Sequence, residues 1–140
     1  MPIPEARATK MVHAALDVAA AMDIFVTAVV VDEGGRLIAL GRMDNATPVS
    51  VDLAVNKAYT AASFQQPTKD LQGVAGQSWF QSLIVSSGGR ITPGGGAMPV
   101  AEAGRVIGAV GVAGGTDDQD QRCCEAAVQA MSCAARDGFG

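Results

Sequence analysis

Between Val29 and Ala62 the chain reads VVVDEGGRLIALGRMDNATPVSVDLAVNKAYTAA, which passes from strand to turn to strand to helix without a linker. Phe25 to Val31 is β-branched and apolar, Glu33-Gly34-Gly35 supplies residues that tolerate positive φ, and Arg36 to Arg42 resumes an apolar strand. The pattern predicts a hairpin. Thr47-Pro48 and Ser50 then offer an N-cap and a first-turn proline, Asp52 puts negative charge near a helix start, and Pro67 ends the alanine-rich run. A helix of roughly four turns, Ser50 to Phe64, is expected. A hairpin feeding directly into a helix is not a βαβ crossover, so the chain is constrained toward an antiparallel sheet with helices packed on it.

The remaining segments agree. Glu5 to Met22 carries Ala8, Met11, Val12, Ala15, Leu16, Ala19 and Met22 at helical spacing. Pro67 to Gly89 suits one or two short helical pieces and loops. Gly88 to Val112 reads as a short strand or loop, a glycine turn, and a second hairpin of Met98 to Ala103 and Val106 to Val112 joined at Gly104-Arg105. Asp117 to Ala135 regains helical spacing through Cys123 or Cys124, Ala127, Val128, Met131 and Ala134. The expected fold class is α+β, an antiparallel sheet of about five strands flanked by helices in a single three-layer-like domain over residues 1–140.

With 49% hydrophobic against 17% charged residues, 140 residues suffice for one packed core. A formal net charge of -4 with scattered Lys and Arg argues against nucleic-acid partners. No apolar run approaches the ~20 residues of a membrane span, and MPIPEARATK lacks the pattern of a secretory signal, so no membrane partner and a cytoplasmic location are expected. The cysteines Cys123, Cys124 and Cys133 are odd in number and lack CxxC spacing, which speaks for reduced, buried thiols and no metal site.

The run VVVDEGGRLIALGRMDNA, followed by Ser50, Asp52, Ala54, Lys57, Ala58, Thr60 and Ala61, then TPGGGAMPV and VIGAVGVAGGTDDQD, resembles the GlcG/HbpS family. These are haem-binding and propanediol-utilisation-associated domains that include the C-terminal domain of the PduO type of corrinoid adenosyltransferase. The similarity runs from about Thr9 to about Ala135 in the family's order. The resemblance implies the family's fold, self-association, and haem or a related tetrapyrrole as ligand, with histidine as the reported ligand to haem iron. His13 is the only histidine on which such ligation can fall here. The bland alternative is a boundary or surface residue.

Lys57 is the most unusual polar residue. On the second helix it shares a face with Ser50, Ala54 and Ala61. Its ammonium suits a carboxylate or phosphate, or acid/base work once desolvated; equally, it pairs with an aspartate such as Asp44 or reaches solvent. Gly94, Gly95 and Gly96 form a loop whose amides can approach a ligand, and Gly114-Gly115-Thr116 leads into the last helix, although Thr116 and Asp117 also serve as ordinary caps. Asp32 and Asp52 have local explanations as turn and helix-start residues, whereas Asp44 does not. Arg42 can clamp a carboxylate or pair with Asp44. Trp79 and Phe80 suit the wall of a flat ligand or simple packing.

Three function classes follow. The first is a homo-oligomeric binder of a small acidic ligand, by resemblance haem, using Arg42, Ser50, Lys57, the glycine loop, Trp79 and Phe80. The second is a lyase, isomerase or tautomerase acting on an organic acid through Lys57 and Asp44, with Arg42 holding the carboxylate. The third is an accessory subunit without a ligand.

Overall fold

The computed structural model describes residues 2–136, with side chains described as far as Met131. Helix α1 (Glu5–Ala21) leads into the hairpin β1 (Thr27–Asp32) and β2 (Leu37–Arg42), then α2 (Pro48–Phe64). A 3-10 turn (Thr68–Val74) and the short helix α3 (Ser78–Ser86) follow, before the hairpin β3 (Ala97–Glu102) and β4 (Arg105–Ala113) and the closing helix α4 (Asp117–Arg136). The three long helices and the four strands of the two hairpins are present within two residues of their expected bounds.

The strands form one antiparallel sheet in the order β2-β1-β4-β3. Side chains alternate across it. Ala28, Val30, Val110 and Val112 join α1 and α4 in the larger core, while Val29, Val31, Ala109 and Ala113 meet the alanines of α2 on the other face. The molecule therefore has three layers: α1 with α4, the sheet, and α2. The first and last helices pack directly on one another.

About five strands were expected, and the described residues contain four. The segment after Gly88 does not join the sheet because its amides are satisfied elsewhere. Ile91 N donates to Ser87 Oγ at the end of α3 and Thr92 N to Thr60 Oγ1 of α2, which ties the segment to both helices by side chains in place of a ladder. The β3–β4 turn is centred on Ala103 and Gly104, both at positive φ, one residue earlier than the sequence suggested. The two-residue turn matches the twist of the strands, and Ala103 sits at φ 53 to allow it. The side chains of Cys133 and Ala134 lie outside the described residues.

Small residues set the spacing between α2 and the sheet. A methyl group added to Gly111 of β4 would run into the Ala54 carbonyl oxygen and lie 2.9 Å from Ala58 Cβ. Helix backbone thus rests almost directly on strand backbone.

Candidate functional site

The face of α2 expected from spacing forms: Ser50, Ala54, Lys57 and Ala61 are all buried. Ser50 Oγ donates to the Thr47 carbonyl at 2.6 Å and lies 2.8 Å from Thr27 Oγ1, pinning the first helical turn to β1. Thr47 caps the helix by position only, without a side-chain bond.

Two turns further on, Lys57 reaches round the end of the sheet. Its ammonium donates to the Gly95 carbonyl at 3.0 Å, the Val112 carbonyl at 3.3 Å and Asp120 Oδ2 at 3.4 Å. All three N–H donors of the ammonium thus have acceptors. Asp120 comes from the first turn of α4, and its Oδ1 accepts from the Gly115 amide at 2.9 Å. Burial raises the Asp120 carboxyl above its ordinary value, while the Lys57 charge and the Gly115 amide pull it back without cancelling the rise.

The glycine loop is threaded through this pair. Gly94, Gly95 and Gly96 are buried, with φ of 106 at Gly94 and 120 at Gly96. A Cβ at Gly96 would meet the Val112 carbonyl oxygen at 2.7 Å and Lys57 Nζ at 3.0 Å. Glycine is required because backbone from β4 and the Lys57 head already occupy that space. Gly96 N donates to Gln121 Oε1, adding a second tie to α4. The start of α4 is closed by its own residues: Thr116 N donates to Gln119 Oε1, and Gln119 N to Thr116 Oγ1, a reciprocal capping box.

The other candidates are dispersed. Arg42 is exposed and donates through Nε and Nη2 to the Ala46 carbonyl. Asp44 is exposed, and among the described residues no ion pair joins it to Arg42 or Lys57. Asp32 Oδ1 accepts from the Gly34 and Arg36 amides, organising the first hairpin turn. Phe80 is fully buried, whereas Trp79 is half-exposed at its edge. His13 is exposed on the outer face of α1. Cys123 and Cys124 are buried; burial pushes the Cys123 thiol up to about 11 and Cys124 higher still, so neither is poised as a nucleophile.

Asp120 escaped the sequence reading. Its signal was present, because Asp120 lies on the same stripe as Cys123, Cys124, Ala127 and Met131, and an acid on an apolar stripe calls for a buried cation. Lys57, on a face of small residues, supplied it.

Taken together, these features define a class: an antiparallel α+β domain whose two helical layers are fastened by the buried Lys57–Asp120 pair. No helix among the described residues is long and apolar enough to cross a membrane. Residues 3–129 match the family described as haem-degrading HbpS-like proteins, and the chain belongs to that family. It is 39% identical over 128 residues to an uncharacterized 15.0 kDa protein of the dhaT-dhaS intergenic region of Citrobacter freundii, covering 91% of this chain and 90% of that one. The crystal structure of Klebsiella pneumoniae ORFY superposes with a TM-score of 0.87 at 38% identity, covering 93% of this chain and 90% of the other. PduOC, crystallised as a haem complex, gives 0.85 at 27% identity over 93% and 95% of the two chains.

Proposed function

We propose that this protein is a homo-oligomeric haem-binding member of its family, with His13 as axial ligand. The observation that carries this reading is the position of its only imidazole, exposed on the outer face of α1, where a ligand can reach it. Cys123 and Cys124 are buried thiols held in the protonated form, which suits them poorly to an iron. Along the same outer face run Ala6, Lys10, Ala14, Asp17, Ala20 and Ala21. Small alanines let a flat macrocycle lie close to the helix, and Lys10 stands one turn from His13 with a charge suited to a propionate. The haem complex of PduOC, on the same fold, supports the ligand class.

The fit also argues for assembly. Three grooves formed by the described residues lie away from His13, which stands exposed on α1, a position that suits a porphyrin covered by a second chain. A second copy facing α1 supplies the cover that a hydrophobic macrocycle needs. The His13 imidazole would hold haem, which would supply an iron centre there, and the facing copy would screen it from water. Titrating the protein with haemin while recording absorbance tests the reading. A saturable low-spin band that is lost in His13→Ala is expected, and an unchanged spectrum in that variant would overturn it.

A further inference from the structure

On the opposite side of the molecule, beyond α2, a groove has features that haem ligation by His13 leaves unused. Helix α3 is anchored by one fully buried side chain, Phe80, which stacks on Phe64 at 5.8 Å and joins Leu71 and Ile91 in a small separate core. Between α2 and α3 this arrangement leaves a groove of about 430 Å³. Phe64, Leu83 and Ile91 make its apolar wall, and Arg90 stands at its margin.

Arg90 is exposed but held in place. Its guanidinium carbon lies 4.0 Å from the centre of the Tyr59 ring, Nη2 donates to Tyr59 Oη at 3.2 Å, and Nε donates to the Ser87 carbonyl at 3.3 Å. Nη1 has no acceptor among the described residues. The groove lining includes no Asp or Glu, so its single charge is positive in a chain whose net charge is -4. A stacked guanidinium with a free edge beside an apolar wall matches a molecule with an apolar body and one carboxylate. The Tyr59 and Ser87 contacts immobilise the arginine before any ligand arrives, which lowers the entropy lost on binding.

We propose that the groove between α2 and α3 is a binding site for a small apolar carboxylic acid, its hydrocarbon or aryl body against Phe64 and Leu83 and its carboxylate on Arg90. The site is independent of the haem reading, since the groove does not include His13.

Calorimetric titration with 3-phenylpropionate, and with the neutral 3-phenylpropanamide beside it, tests the proposal. Saturable binding of the acid is expected, with the amide at least about tenfold weaker, because a hydrogen-bonded charge pair contributes that much or more. Arg90→Gln should weaken the acid by about tenfold to a hundredfold. Ser63→Phe places an aromatic ring in the groove from an exposed position, so it should block the acid while Arg90 and the fold stay intact. Absence of saturation for the wild-type protein in the millimolar range would overturn the proposal. Equal affinity for acid and amide, or undiminished affinity in both variants, would do the same.

Discussion

Lys57 of α2 and Asp120 of α4 meet at 3.4 Å although the sheet separates their helices. Both side chains are almost wholly buried, and the glycine loop passes between them and the end of β4. Breaking such a pair from one side leaves an uncompensated charge in a dry site. Lys57→Met should therefore lower unfolding free energy by roughly 3 to 5 kcal/mol, as buried pairs do when one partner is removed. The double variant Lys57→Met with Asp120→Asn should recover part of that loss, and a double-mutant cycle in urea measures the coupling. Additive losses would show that the two residues act separately.

The same pair gives a pH dependence with a defined sign. The Asp120 carboxyl is raised in the folded protein above its ordinary 3.8, so the folded state holds that proton more tightly than the unfolded chain. Its contribution is fully present below about 3.8 and is lost as pH rises through the folded value. Wild-type stability relative to Asp120→Asn should consequently decline as pH increases from the acid side, which urea titrations across that range will read. A wild-type advantage that grows with pH would contradict the raised value.

Much of this fold was legible because local signals agreed with one another. Two hairpins, each marked by glycines between apolar runs, gave all four strands, and the face Ser50, Ala54, Lys57 and Ala61 was correctly identified as one surface of α2. The partners of Lys57 were not legible. Asp44 was the nearer aspartate in sequence, whereas the one that meets Lys57 is 63 residues away and is delivered by the return of α4 beside the sheet. The composition of the glycine loop left a ligand-facing loop and an ordinary tight turn both open, and the need for glycine at Gly96 emerges only from the packing, where the Val112 carbonyl and the Lys57 head fill the space a side chain would take.

Close backbone approach makes Gly111 intolerant of even one methyl group. Gly111→Ala should cost about 1 to 3 kcal/mol by overpacking against Ala54 and Ala58. A lowered urea midpoint with unchanged slope is the expected result, since the unfolded chain is little altered. An unchanged midpoint would mean that α2 can lift from β4 freely.

The second hairpin turn offers a stabilising change. Ala103 adopts φ 53, a conformation that costs a residue with a Cβ roughly 1 to 2 kcal/mol. Ala103→Asn, favoured at the first position of a type I′ turn, should raise the melting temperature by a few degrees. A fall would show that the alanine methyl is needed where it stands.

The buried thiols allow a check on packing. In a Cys133→Ser variant, Cys123 and Cys124 should react with Ellman's reagent only as the protein unfolds, because both are buried and their thiolates are disfavoured. Rapid labelling of either in the native protein would place α4 away from the core.

The pairing of α1 with α4 has a consequence for biosynthesis. Helix α1, which leaves the ribosome before α4, carries Met11, Val12, Ala15 and Ala19, all buried in the finished domain in a core shared with Cys123, Cys124, Ala127 and Met131. Until the last helix emerges, that stripe has no permanent cover. The domain can thus be completed only once α4 is available, and a nascent protein truncated before Asp117 would present a sticky amphipathic helix to its surroundings.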